Sequence, residues 1–248
     1  MSTIYALWLR QIKKYLRSKS RMIGTLGQPL LFLLAFGYGF QGIYQKAEGG
    51  NYMEFIVPGI VLMTVLFTAV FSGIEVIWDR QFGFLKETLV APVSRFEILM
   101  GRALGGATVS TLQGCLVLAV TLLCHFRPRH LTLLPVGLLF IFLVALLFTS
   151  LGLLLASFLE DMQGFQLIMN FLIMPIFFLS GALFPLGRVP TAMKIIAKLD
   201  PLTYGIDGLR GALLANSVWG MSLDLIVLCI VTAALLGSAT AVFEYLEA

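Results

Sequence analysis

Charged side chains cluster in the interval from Trp78 to Arg102, which separates two long apolar runs. Phe82, Phe84 and Leu85 are interleaved with these charges. The segment is too charged to cross a membrane and too apolar to be a free loop. We interpret it as a surface-lying connector that docks on a partner protein; the alternative is an amphipathic linker on lipid headgroups. The charged residues of the interval are Asp79, Arg80, Lys86, Glu87, Arg95, Glu97 and Arg102.

No pattern of catalytic or metal-binding residues occurs in the sequence. It contains no GxxxxGK[ST] loop for nucleotide phosphates, no HExxH zinc pair and no GxSxG nucleophile. Cys115, Cys124 and Cys229 form no CxxC pair and lie in or beside apolar runs, which is typical of small buried residues. The sequence therefore predicts that the chain is not an enzyme and holds no metal ion or cofactor of its own.

The composition is that of an integral membrane protein. Of the 248 residues, 59% are hydrophobic and 12% are charged, whereas soluble domains are about half apolar and a quarter charged. The apolar runs are continuous and do not alternate with polar residues, which favours membrane helices over barrel strands. At about 20 residues per span, these runs allow six spans. We therefore predict an all-α fold with a single transmembrane domain over residues 1–248.

An amphipathic helix at residues 1–21 is predicted to precede the first span. It carries six Lys or Arg residues, while Ile4, Leu7 and Trp8 recur at helical spacing on another face. We predict that it lies in the membrane interface, with Trp8 as an anchor and the basic face toward anionic lipid. The predicted spans are residues 22–40, 54–77, 94–124, 131–159, 162–183 and 221–245, with a short polar loop at 41–52.

The start of the third span carries two local signals. Ser94 and Glu97 fit a capping box, with Ser94 as the N-cap. Small residues then recur at four-residue spacing, which lets membrane helices approach closely. This face favours packing within one subunit over a seam between two copies. The small residues are Gly101, Gly105, Gly106, Ser110 and Gly114.

The basic cluster before the first span predicts a cytoplasmic amino terminus. Six spans then return the carboxyl terminus to the cytoplasm, and they place residues 79–92 inside and 185–216 outside. Glu75 lies just inside the second span and is expected to pair locally with Arg80. Ionisable groups are scarce at mid-depth, which disfavours a proton- or sodium-coupled carrier. Energy for uphill transport would therefore enter through a partner.

Residues 185–216 predict two short helices in place of a seventh span. Asp200 reads as an N-cap and Pro201 as the first helical residue, after a helical pattern at Thr191–Leu199. Each piece is too short to cross about 30 Å of hydrocarbon, and both are too apolar to be free loops. We interpret them as an external re-entrant hairpin, which at membrane depth would have to be buried or line a cavity.

Two motifs resemble those of one transporter family. The runs Asp79-Arg80-Gln81-Phe82-Gly83 and Lys86 to Arg95, followed by Gly101-Arg102, look like the motif of bacterial ABC-2-type permeases. The later run Asp200 to Gly211 resembles the segment that precedes the last span in that family. The drug-exporting branch, similar to daunorubicin-resistance permeases, is the nearest, and polysaccharide-export permeases are related. One departure is Gln81-Phe82, where an acidic residue is common in the family.

The resemblance implies a set of partners and a set of site residues. It implies a coupling helix at residues 79–92 that sits in a cleft of a separate ATPase subunit, present in two copies and binding ATP and Mg²⁺. It also implies a second permease copy, a bacterial inner-membrane location and no nucleic-acid partner. The coupling residues would be Asp79, Arg80, Phe82, Gly83, Phe84, Leu85, Lys86, Glu87, Pro92 and Arg95. The hairpin residues would be Pro185, Asp200, Pro201, Tyr204, Asp207 and Arg210.

Three functions stay open from the sequence. The first is the membrane subunit of an ATP-driven exporter for a hydrophobic or amphiphilic substrate. The second keeps that architecture but exports a polysaccharide or a lipid-linked glycan. The third is a membrane scaffold that transports nothing. The substrate-binding residues are not predicted, because apolar aromatics in membrane helices usually pack or face lipid.

Overall fold

The computed structural model describes residues 3–48, 50–82, 94–123, 126–159 and 161–246, without the side chains at 21, 48, 188 and 244–246. Within these ranges the chain is helical, with short 3₁₀ turns at Leu131–Leu133 and Leu186–Arg188. The helices are α1 (Thr3–Arg17), α2 (Lys19–Gly39), α3 (Gln41–Glu48), α4 (Tyr52–Phe71), α5 (Ile74–Gln81), α6 (Arg95–Leu123), α7 (Leu134–Phe158), α8 (Met162–Leu179), α9 (Thr191–Leu199), α10 (Pro201–Leu214) and α11 (Met221–Leu246).

Six segments of the described chain are long and apolar enough to cross a membrane. They are Met22–Gly39, Tyr52–Gln81, Arg95–Leu123, Leu131–Phe158, Met162–Leu179 and Met221–Phe243. The prediction of an all-helical membrane protein with six spans is therefore confirmed. The fifth span is shorter than predicted, because its helix ends at Leu179 and residues 180–183 form a turn.

The buried centre of the bundle lies where α4, α6 and α7 pack on one another. Helix α4 is apolar on all sides, as expected of a helix surrounded by others. The backbones approach most closely at Gly73 and Gly152, where a Cβ on Gly73 would lie 2.4 Å from the Gly152 carbonyl oxygen. In contrast, α2, α8 and α11 keep most of their surface exposed, which suits helices at the outside of a bundle.

Helix α1 packs along α6, and the small face of α6 makes this possible. A Cβ added to Gly101 would lie 2.9 Å from Leu7 Cβ. The predicted packing of the small face within one subunit is thus confirmed. The Trp8 indole Nε1 donates to Thr108 Oγ1 at 3.0 Å, so its polar group faces α6. That Trp8 anchors the helix in the membrane interface stays a prediction.

Two further element boundaries differ from those predicted. The predicted loop at 41–52 contains helix α3, whose Tyr44 ring packs against Tyr52 with centroids 5.1 Å apart. The second span runs on to Gln81 after a short break at Ser72-Gly73. Asp79, predicted to open the coupling helix, therefore lies in the last turn of α5. Helix propensity alone does not fix the helix boundaries in either place, because tertiary packing decides where each helix begins and ends.

Candidate functional site: a charged junction and a cavity-bearing hairpin

One cluster of charges joins three helices at the end of the bundle where α5 ends and α6 begins. We call it the charged junction. Asp79 Oδ2 lies 2.8 Å from Arg102 Nη2, and Asp79 Oδ1 lies 3.3 Å from Arg10 Nη2. Lys14 Nζ lies 3.0 Å from Glu75 Oε1. Two acidic residues of α5 thus hold two basic residues of α1, and Asp79 also holds α6.

Arg102 is the buried member of the charged junction. Its side chain is 3% exposed, whereas that of Arg10 is 42% exposed. Arg102 Nε donates a hydrogen bond to none of the described residues. A buried guanidinium needs a nearby opposite charge, because leaving water costs each ion several kcal/mol. Asp79 supplies that charge, so one carboxylate ties α5 to the buried guanidinium of α6.

Polar contacts extend the attachment of α1 along α6 and into α2. Tyr15 is buried, and its hydroxyl donates to Gln113 Oε1. Gln113 Nε2 in turn donates to Thr25 Oγ1 at 2.7 Å. A cavity of about 340 Å³ lies beside this chain of contacts and is lined by polar and apolar side chains of α1, α2, α4 and α6. These contacts make α1 part of the bundle.

The opposite end of the bundle holds the two short helices α9 and α10, and we call it the hairpin end. Asp200 caps α10, since its Oδ1 accepts from the Leu202 amide at 2.9 Å. Pro201 is the first residue of that helix, which confirms the local prediction. Burial raises the pKa of the Asp200 carboxyl to about 7, while the hydrogen bonds from Leu202 and Thr203 oppose the shift.

Asp207 holds the loop between α10 and α11. Its carboxylate accepts from Ser217 Oγ at 3.1 Å, from the Val218 amide at 2.9 Å and from the Trp219 amide at 3.0 Å. The side chain is 4% exposed. The two carboxylate oxygens therefore accept their hydrogen bonds from the loop between α10 and α11.

Arg210 joins the hairpin to the start of α4 and the end of α8. Its Nη2 donates to the carbonyl oxygens of Phe55 at 3.2 Å and of Gly181 at 3.0 Å. Its guanidinium carbon lies 3.8 Å from the centroid of the Phe55 ring. Burial lowers the pKa of Arg210 to about 10, and the charge of Asp207 opposes the shift. The side chain consequently stays cationic at neutral pH.

Two adjoining hollows open at the hairpin end. The first, which we call the head cavity, has a volume of about 390 Å³ and is lined by Lys194, Lys198 and Arg210. The second, which we call the aromatic groove, has a volume of about 510 Å³ and is lined mainly by aromatic and aliphatic side chains of α2, α3 and α8. Tyr44 and Pro185 line both.

A model of the family described as ABC-2 type transporter matches residues 2–214. The chain belongs to the ABC-2 type transporter family. The match includes the charged junction and both short helices of the hairpin end. Membership makes the chain a membrane permease subunit of an ABC transporter, and it implies association with an ATP-binding subunit.

Named relatives agree with this assignment. The ABC-2 chain is 32% identical over 225 residues to the putative transport permease ycf38 of Cyanophora paradoxa, covering 90% of this chain and 77% of the relative. It is 29% identical over 210 residues to the inner membrane transport permease YadH of Escherichia coli strain K12, covering 83% and 80%. It is 26% identical over 228 residues to nodulation protein J of Rhizobium leguminosarum bv. viciae, covering 91% and 87%.

The predicted coupling residues of this ABC-2 permease divide into two groups. Asp79 lies in the charged junction, Arg80 Nη2 donates to the Ser157 carbonyl at 3.4 Å, and the Phe82 side chain is 80% exposed. Arg95 begins α6, one residue after Ser94, whose Oγ accepts from the Glu97 amide at 3.2 Å. The remaining predicted residues lie outside the described ones: Gly83, Phe84, Leu85, Lys86, Glu87 and Pro92.

The predicted hairpin residues lie in two places: Pro185, Asp207 and Arg210 line the head cavity, whereas Asp200 and Pro201 line a separate hollow beside α8 and α9. Tyr204 packs on Trp219 with ring centroids 5.1 Å apart, and its hydroxyl donates to the Lys198 carbonyl at 2.9 Å. Asp207 and Arg210 lie on the same helix and face the head cavity. Whether the hairpin enters the membrane stays a prediction.

Several functional residues escaped the sequence reasoning. Lys14 lies 3.0 Å from Glu75 and is 61 positions away from it in the chain, a partner that the sequence does not predict. The sequence predicts Arg10 only as part of a basic face. Arg102 belongs to the family motif. The motif alone does not show that its side chain pairs with Asp79, which lies on the other side of the intervening segment. No local spacing reports such pairs, because they depend on how helices pack.

Proposed function

We propose that this ABC-2 permease is the membrane subunit of an ATP-driven exporter for an amphiphilic substrate. Two separate ATPase subunits bind ATP and Mg²⁺ and dock on the segment at residues 79–92, while a second permease copy completes the pathway. The charged junction is the observation that supports this proposal most strongly. It includes Asp79, the first residue of the segment, and Arg102, which follows the segment on α6.

The contacts of the junction describe how force would travel. A displacement of the segment pulls on α5 and α6, and the shared carboxylate of Asp79 carries α1 with them. Helix α5 follows α4 after the short break at Ser72-Gly73, and Gly73 packs directly on the Gly152 backbone, so a movement of α5 is passed to α4 and α7. Since α4 and α6 lie in the buried centre, a small movement at this end reorients the core of the bundle.

Docking is tested by co-purification, which needs no known substrate. The permease is co-expressed with a candidate ABC ATPase subunit, and Phe84→Glu replaces an apolar residue of the segment with a charged one. We expect the ATPase yield to fall at least about tenfold, since burying an unpaired charge is costly. Glu54→Gln is the matched control, because Glu54 pairs with Arg129 at 3.3 Å at the hairpin end. Equal yields for both variants would contradict the docking site.

Export is tested separately in proteoliposomes that contain permease and ATPase. Glu87→Ala is expected to leave insertion intact but to uncouple ATP hydrolysis from movement of daunorubicin or of a fluorescent phospholipid. Transport by Glu87→Ala at the unaltered rate would refute coupling through this segment. Absence of any ATPase partner, together with a monomeric permease, would favour the scaffold alternative. Movement of a lipid-linked glycan alone would favour the glycan alternative.

A further inference from the structure

We propose that the hairpin end binds an amphiphile with an anionic phosphate headgroup. The headgroup lies in the head cavity against Arg210 and Lys198, and the apolar chain lies in the aromatic groove. This site is separate from the charged junction, and its occupation requires neither ATP nor an ATPase.

The head cavity carries an excess of positive charge. Lys194, Lys198 and Arg210 line it, and Asp207 is the carboxylate among its described lining residues. Asp207 is occupied by donors of its own loop, with the Val218 amide at 2.9 Å. Lys194 Nζ donates to the Gly187 carbonyl at 2.9 Å, which holds it at the wall. Hydrogen bonds with neutral groups cancel no charge, so three cations and one carboxylate leave a net charge of about +2 for an anion.

The Arg210 guanidinium is oriented in a way that suits phosphate binding. Its plane is stacked on Phe55, and its Nε and Nη2 donate to carbonyl oxygens, which fix its direction. Its Nη1 donates to none of the described residues, although the side chain lines the cavity. A stacked, immobilised guanidinium with a free donor loses little entropy on binding a phosphate oxygen. Carbonyl oxygens satisfy its hydrogen bonds without neutralising its charge.

The aromatic groove adjoins the head cavity. Tyr44 and Pro185 belong to both walls. Tyr52 also lines the groove, and its hydroxyl donates to the Leu183 carbonyl at 2.7 Å. The groove lies between α2 and α8, two spans whose surfaces are largely exposed. An acyl chain in the bilayer can thus reach the groove while its headgroup stays at the membrane surface.

The combined volumes suit one ligand with two parts. Cavities of about 300–1,000 Å³ are typical of small-molecule sites, and the two hollows measure about 390 and 510 Å³. One hollow is cationic and the other is aromatic, which matches a charged head joined to an apolar tail. A free anion would leave the groove empty, and a neutral amphiphile would leave the charges of Arg210 and Lys198 unmatched.

Native mass spectrometry of the purified permease in dodecyl maltoside tests the proposal without any ATPase. Three probes are added: dioleoyl phosphatidic acid, dioleoyl phosphatidylcholine with the same chains, and glycerol 3-phosphate with no chain. We expect phosphatidic acid to bind at least about tenfold more tightly than the other two, as a lost charge-assisted hydrogen bond implies. Equal binding of phosphatidylcholine would overturn the anionic head, and equal binding of glycerol 3-phosphate would overturn the groove.

Variants separate this site from general attraction to a basic surface. Lys198→Gln is expected to weaken phosphatidic acid about five- to tenfold, and Ala47→Trp, which fills the groove, to weaken both lipids. Lys46→Gln is the matched control, because Lys46 lies at the same end but lines neither hollow. Neither tested residue holds the fold together, unlike Arg210. Equal losses for Lys46→Gln and Lys198→Gln would overturn the proposal.

Discussion

Asp79→Asn removes the carboxylate that Arg10 and Arg102 share and leaves the rest of the side chain in place. The two basic partners predict different costs. The Arg102 side chain is 3% exposed and its Nη2 lies 2.8 Å from Asp79 Oδ2. Breaking a buried pair costs about 3–5 kcal/mol, because the surviving charge is stranded. The Arg10 side chain is 42% exposed, and an exposed pair contributes less than about 1 kcal/mol. We expect Asp79→Asn to destabilise the fold by about 3 kcal/mol and Arg10→Gln by less than about 1 kcal/mol.

The assay is unfolding by sodium dodecyl sulfate in dodecyl maltoside micelles, followed by far-UV circular dichroism. The double variant Asp79→Asn/Arg102→Met removes both charges together and should be more stable than Asp79→Asn alone. In the double-mutant cycle, the two substitutions together should therefore lower the free energy of unfolding by less than the sum of their separate effects. Equal costs for Asp79→Asn and Arg10→Gln, or a double variant less stable than Asp79→Asn, would refute the reasoning that a buried charge depends on one carboxylate.

Three further predictions concern packing and the hairpin end. Gly101→Leu should lower the free energy of unfolding by about 2–3 kcal/mol, because the side chain forces α1 away from α6. Gly237→Leu should lower it little, because no atom lies within 4 Å of the position that a Cβ would take. The same unfolding assay compares the two variants. Asp200, with a folded pKa of about 7, should make stability fall as pH rises from 5 to 8, and Asp200→Asn, which keeps the cap, should flatten that profile. Asp207→Ala should lower the free energy of unfolding by about 2–4 kcal/mol, because it leaves the donors of the 217–219 loop without their acceptor. Limited proteolysis of that loop should become faster. Asp207→Asn should lower the stability less.

Local chemistry made parts of the fold predictable. The six spans follow from continuous apolar runs, because a backbone in hydrocarbon must satisfy its own hydrogen bonds and a helix does so within one segment. The cap at Asp200 and the start of α10 at Pro201 follow from the backbone groups that every helix start leaves unpaired. The small face around Gly101 likewise indicated close packing, though not its partner.

The candidate site was predictable only in part. Asp79 and Arg210 stood in recognisable motifs, but nothing near them in the chain named their partners. The Lys14–Glu75 pair and the stacking of Arg210 on Phe55 join residues 61 and 155 positions apart. The sequence predicts a loop in place of helix α3, because the stretch is polar. The packing of its aromatic ring on α4 appears only in the folded chain.

Composition and local pattern by themselves determined that this chain crosses a membrane six times, carries short helices before its last span and contains no phosphate-binding loop. They could do so because spans, caps and loops are set by energies within one segment. Only the tertiary structure decided that α1 packs on α6, that Asp79 pairs with a buried arginine, and that a cationic cavity adjoins an aromatic groove. Those features depend on the rotation and crossing of whole helices, which is settled by the sum of many weak contacts between distant parts of the chain.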